Sequence, residues 1–194
     1  MRVVGVNMDK TRVVMEEANG VLDFWFGELS PEQWFTEDAA LDKTITSRFS
    51  SLLEAAILGE LWPWRATATG RLAEIILLDQ FSRNIYRNKP NAFSADSIAL
   101  VLAQEAVSVE ADKVLTPKQR AFLYMPFMHS ESLAIHDVAI ELFSQEGLEN
   151  EFVFAKRHQH VIERFGRYPH RNAILGREST PEEVAFLKEH PQGF

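Results

Sequence analysis

The sequence predicts an all-α fold of stacked antiparallel helices, and three observations predict it. Apolar residues recur at helical spacing, as in Leu41, Ile45, Phe49, Leu52, Leu53 and Ala56. Cap-then-proline helix starts occur at Ser30-Pro31, Thr116-Pro117 and Thr180-Pro181. Strand-like alternation is confined to a weak "RVVGVN" near the beginning.

Taken in order, residues 1–20 read as a lead, and residues 21–194 as a single domain. A short helix fits Val21 to Phe26, with Gly27 closing it, and Ser30 then caps a turn that begins at Pro31. A long amphipathic helix runs from Asp38 to Gly59. Further helices are expected over about Thr69 to Tyr86, Ser94 to Val109, Thr116 to Phe127, Ser130 to Ser144, Glu149 to Phe165 and Thr180 to His190. Glu183 completes a capping box with Thr180. Pro126 should kink or break the helix it interrupts. Short connections favour antiparallel neighbours, and the four Trp are best used in core packing.

Composition excludes several classes of function. With 28 acidic against 20 basic side chains the net charge is -8, which disfavours a nucleic-acid partner. The chain has no Cys, so disulfides, thiolate zinc sites and cysteine nucleophiles are out, and a reducing, cytoplasmic setting is expected. Apolar runs fall far short of the roughly 20 residues a membrane span needs, and the start lacks the apolar stretch of a leader. No G-x-S-x-G, P-loop or G-x-G-x-x-G is present, and no cofactor is implied. A metal site is not expected either. H-E-x-x-H is missing, Glu131 falls opposite His129 and His136, and His158 and His160 point about 200° apart on a helix. The His136-Asp137 doublet reads as a surface pair.

Two stretches behave oddly. On "RLAEIILLDQFSRNIYR", Asp79, Arg83 and Arg87 continue the line of Leu72 and Ile76, while Leu77, Leu78, Phe81 and Ile85 fill the other side. A charged stripe therefore extends a buried one. Asp79 and Arg83 have the spacing to pair, and Gln80 and Asn84 flank them with neutral donors and acceptors. In "FGRYPHRNAILGRES", Gly166 ends a helix and Pro169 prevents its resumption, so Arg167, His170, Arg171, Asn172 and Arg177 fall in a loop. Interleaved Tyr168, Ile174 and Leu175 should pack that loop down and aim its guanidinium groups, which suit carboxylate or phosphate oxygens.

"VLDFWFG", "LLDQFSRNIYR", "YMPFMHSE" and "FGRYPHRNAILGRESTPEE" together resemble a bacterial family known as domain of unknown function 924, from about Val21 to Glu183. That resemblance implies an all-helical fold related to tetratricopeptide-like arrays, without an activity. Ser82 stands where the family usually has Pro, and Tyr168 where it usually has Phe.

Three readings of function follow. In the first, Arg83, Arg87, Arg167 and Arg171 donate to an anionic small molecule or peptide carboxylate, in a recess completed by Asp79, Gln80, Asn84, Asn172 and Arg177. In the second, the chain is a hydrolase or lyase with His129 or His170 as general base, Glu131 or Asp79 orienting it, and His158 a further titrating group. In the third, the polar set is structural and a helical surface recruits a protein partner.

Overall fold

Four helices begin at a side-chain cap, and the caps are local in sequence. Asp38 accepts from the Ala40 and Leu41 amides at 2.8 and 3.2 Å, and Thr67 accepts from Gly70. Thr116 and Thr180 form reciprocal boxes with Gln119 and Glu183. Each satisfies amides that the first helical turn leaves without partners.

The computed structural model describes residues 16–190, and "RVVGVN" lies outside them. Among the described residues there are eight helices and no strand. α1 spans residues 16–28 and ends in the wide turn Asp23–Glu28. α2 is Ala39–Ile57. α3 runs without a break through Ala68–Ile76, Leu77–Phe81 and Ser82–Ile85. α4 is Asp96–Ser108, α5 Pro117–Met128, α6 Leu133–Phe143, α7 Glu149–Phe165 and α8 Pro181–Glu189.

Two expectations near helix ends are corrected here, each for a physical reason. α1 is already helical at residue 16, where the described residues begin, and it passes through Gly27, because the Leu29 amide reaches back to the Phe24 carbonyl and keeps the last turn closed. Pro126 does not break α5: it costs a single amide near the helix end, and every residue from Ala121 to Met128 is buried and held from all sides.

α3 and α5 form the centre. α3 packs on α2, α4 and α5, and α5 also packs on α4, α6 and α7. Burial on α3 is continuous from Leu72 to Ser82, which requires its charged members to find partners inside the protein. Trp25 and Trp64 are fully buried and Trp34 stacks on Trp25 with centroids 6.2 Å apart. Trp62 is the exception to core packing, at 66 % exposure. A smaller apolar cluster of Val161, Ile162, Tyr168 and Phe186 ties α7, the loop after it and α8 together.

Candidate functional site

Asp79 lies in the turn Leu77–Phe81, where the Ser82 amide bonds five residues back to the Leu77 carbonyl and the helix widens to a π turn. Such single wide turns inside α-helices re-aim the side chains they carry. Here the buried Asp79 carboxylate meets His129, the residue that ends α5, with Oδ1 accepting from Nδ1 at 2.7 Å. An ionised carboxylate only accepts, so Nδ1 carries the hydrogen and Nε2 is left with its lone pair. The Asp79 side chain is 1 % exposed and that of His129 18 %, and His129 lines a cleft. Gln80 donates to the second Asp79 oxygen.

Two guanidinium groups complete the cluster. Arg83 donates to the Asp79 backbone carbonyl at 2.6 Å and forks onto Asp96, at the start of α4, at 2.9 and 3.0 Å. Arg171, from the loop after α7, donates to Asp96 at 3.2 Å and to the His129 carbonyl at 3.0 Å. Its guanidinium lies 4.7 Å from the centroids of both the Phe93 and Tyr168 rings, and its buried Nε has no hydrogen-bond partner among the described residues. Two acids and two bases thus balance around a neutral imidazole. Burial opposes ionisation of Asp79, but His129 and Arg83 outweigh it and hold its carboxyl well below the usual range. Burial is also the main force on His129 and holds its imidazole below the ordinary histidine value, with Arg83 acting in the same direction and Asp79 against it.

The cluster borders a cleft of about 320 Å3 between the start of α4, the end of α5 and the loop. Asp96, His129, Glu131 and Arg171 face it beside the apolar walls of Phe93, Leu100, Pro126 and Leu175, and Ser94, Ser97 and Ser130 add hydroxyls. Glu131 binds back into the loop, accepting a bidentate pair from Arg177 at 2.7 and 2.9 Å and the Tyr168 amide at 2.7 Å. This pinning explains why α6 starts at Leu133 and not at Ser130.

Of the residues singled out in the sequence, Asp79, Gln80, Arg83, His129 and Arg171 belong to this cluster, while Glu131 faces the same cleft and Arg177 binds Glu131. The others are placed elsewhere. α3 ends at Ile85, so Arg87 leaves the stripe and binds Asp42 of α2 at 2.5 and 2.8 Å, with Asn84 donating to the same carboxylate. Arg167 turns to Glu183 of α8, and Asn172 donates to Ser179 within the loop. The loop does pack down, but its three arginines serve three different acids, so only Arg171 reaches the cleft. Asp96 is the site residue that sequence reasoning missed. Its only local signal is an acid in the first turn of a helix, which ordinarily reads as a favourable interaction with the helix end.

His158 and His170 do not line the cleft. They pack around Tyr168, with ring centroids 5.7 and 5.5 Å from it. His136 is fully buried against the surface expectation, because its Nε2–H donates to the Ser130 carbonyl at 2.8 Å and ties down the α5–α6 turn. Its ring edge also meets the ring of Tyr168. Among the described residues no group of three or more acidic or His side chains could hold a metal ion. No described helix is long and apolar enough to cross a membrane.

This histidine packing has a measurable consequence. Burial holds His158 down to about 3, and burial together with Arg171 holds His170 down to about 4, while an unfolded histidine protonates near 6.5. Below 6.5 the unfolded chain therefore takes up protons that the folded one refuses, and stability must fall as pH drops from 6.5 toward 4. Solvent at the exposed edge of His170 softens its share relative to His158, and His129 and His136, also held below the ordinary value by burial, add to the decline. Urea midpoints from pH 7.5 to 4.5 should decline for the wild type and decline less steeply for His158→Gln. A flat profile would contradict the burial of these rings.

Comparison with known proteins agrees with the fold. Residues 21–191 match the model of a family described as bacterial protein of unknown function, DUF924. A solved structure of a protein of unknown function, ATU0120 from Agrobacterium tumefaciens, is 38 % identical, covers 91 % of this chain and 99 % of its own, and superposes with a TM-score of 0.87. Among curated proteins none matches the chain. With the family model spanning all the helices from the end of α1 to α8, and a relative of the same fold over nearly its whole length, the chain belongs to the bacterial DUF924 family.

Proposed function

We propose that the cleft is an acid–base active site in which His129 serves as general base, oriented by Asp79. The observation that carries this reading is the 2.7 Å bond from His129 Nδ1 to a carboxylate buried in a π turn. That bond selects the tautomer that leaves a lone pair on Nε2, and a base held in this way by a buried acid suits proton abstraction. Arg171, partly desolvated beside two rings, is placed to stabilise negative charge that develops on a substrate oxygen. The cleft offers hydroxyls but no activated nucleophile, which favours a hydrolase or lyase that deprotonates water or the substrate itself.

A second reading makes the cleft a binding site for an anionic small molecule or a peptide carboxylate. The unpartnered Arg171 Nε favours it, and the prior claim of Asp96 on Arg83 and Arg171 weakens it. Both are tested together. On a panel of ester, amide, phosphoester and carbon-acid substrates, His129→Gln should lower turnover about 10²–10⁴-fold, with the acid limb of the wild-type profile below 6.5. Turnover that survives the substitution rejects the catalytic reading. If no substrate turns over, but phosphate or a small carboxylate raises the melting temperature of wild type and not of Arg171→Ala, the second reading stands.

A further inference from the structure

A second cleft, about 580 Å3, lies between α7 and α8, and neither reading above uses it. Its floor is Val161 and Phe186, both nearly inaccessible. Val153, Lys156, Arg157 and His160 border it at spacings of three, four and seven residues, which makes them one stripe along α7. His190 stands on the α8 side with its ring 4.5 Å from that of Phe186.

The charge of this cleft runs against that of the protein. The chain carries net charge -8, yet Lys156 and Arg157 form no ion pair among the described residues and lie instead over the Phe152 and Phe154 rings of their own helix. No acid is among the residues that line the cleft; nearby, Glu182 pairs with Arg164, and Glu163 lies 3.7 Å from His160, a contact that is ionic only when that histidine is protonated. Apolar exposure adjoins the cations, since Val153 is 44 % and Phe154 47 % accessible. An open trough with an apolar floor and a cationic rim suits an extended or helical segment better than an enclosed metabolite.

We infer that the α7–α8 cleft docks a short acidic segment of another protein, with one aromatic or large aliphatic side chain against the exposed Val153, above the Val161–Phe186 floor, and flanking Asp or Glu at Lys156 and Arg157. Burial of exposed Val153 supplies the apolar part of the affinity. The exposed cations supply selectivity and association rate, because solvent-exposed ion pairs are individually weak and screened by salt. The inference does not depend on the chemistry of the His129 cleft.

The test is selection of a random peptide library displayed on phage against the full chain. Enriched sequences should place Asp or Glu beside an aromatic or aliphatic residue. A synthetic peptide of that consensus should bind at least tenfold more weakly to the doubly charge-reversed variant Lys156→Glu/Arg157→Glu and to Val153→Asp, and more weakly at high salt. Both variants change exposed positions, and circular dichroism checks that they fold. His129→Gln should bind the peptide like wild type, which separates this site from the proposed active site. Enrichment of neutral or basic sequences, absence of enrichment, or equal binding by the charge-reversed variant overturns the inference. So does concentration-dependent self-association that Val153→Asp abolishes, since that assigns the cleft to a second copy of the chain.

Discussion

Asp79→Ala should destabilise the protein by about 3–5 kcal/mol, the range found when one partner of a buried ion pair is removed and the other charge stays behind. The substitution takes the partner from His129, from one contact of Arg83 and from Gln80 at once. Arg83 keeps Asp96, so the loss falls at the lower end of that range. Against a typical total of about 5–15 kcal/mol the change is a large fraction, and it reads directly as a lower urea midpoint. Asp79→Asn conserves the shape and should cost less. It should also push the His129 imidazole further below its ordinary value, because the largest influence raising it is gone and only Asp96 is left to act in that direction. An NMR titration of His129 checks the sign. An Asp79→Ala midpoint within error of wild type would mean that the α3–α5 junction is held by apolar packing alone.

Gly70→Ala should destabilise as well, and here helix propensity predicts the opposite sign. Ala is about 1 kcal/mol better than Gly inside a helix. Gly70, however, sits in the first turn of α3 directly against backbone: a methyl group there would overlap the Trp64 carbonyl oxygen and lie 2.8 Å from its carbon and 3.0 Å from Thr67 Oγ1. Backbone cannot step aside as a flexible side chain can, and Trp64 is itself wholly buried. Overpacking of this kind costs roughly 1–3 kcal/mol, or about 2–12 °C in Tm for a domain of this size. A calorimetric increase in Tm would show that propensity outweighs the close approach. Gly20, which has open space around it, is the control at which Ala should not destabilise.

The candidate site was legible in its parts and not in its assembly. The Asp79 stripe stood out because charge interrupted an otherwise apolar helix, and the cationic loop because three arginines followed a helix-ending glycine. Arg87 was assigned to the site on the assumption that a regular helix continued past it. The π turn at Leu77–Phe81 and the end of α3 at Ile85 both change where that side chain goes. Asp96 was invisible, since nothing near it in sequence marks it as the shared partner of Arg83, 13 residues away, and Arg171, 75 away. Arg167 and Arg177 look equivalent to Arg171 in the loop, yet each is taken by a different acid, Glu183 and Glu131.

By itself the sequence determined the class of fold and most helix limits, because caps, prolines and apolar periodicity act within a few residues along the chain. Asp38, Thr67, Thr116 and Thr180 begin their helices wherever those helices later pack. Only the tertiary structure decided which charges meet, since His129 and Asp79 are 50 residues apart and every guanidinium has several carboxylates it could have chosen. A buried ion takes the partner that the packing of α3 against α5 and the loop brings within hydrogen-bond reach. That is a property of three-dimensional distance, which spacing along the chain does not encode.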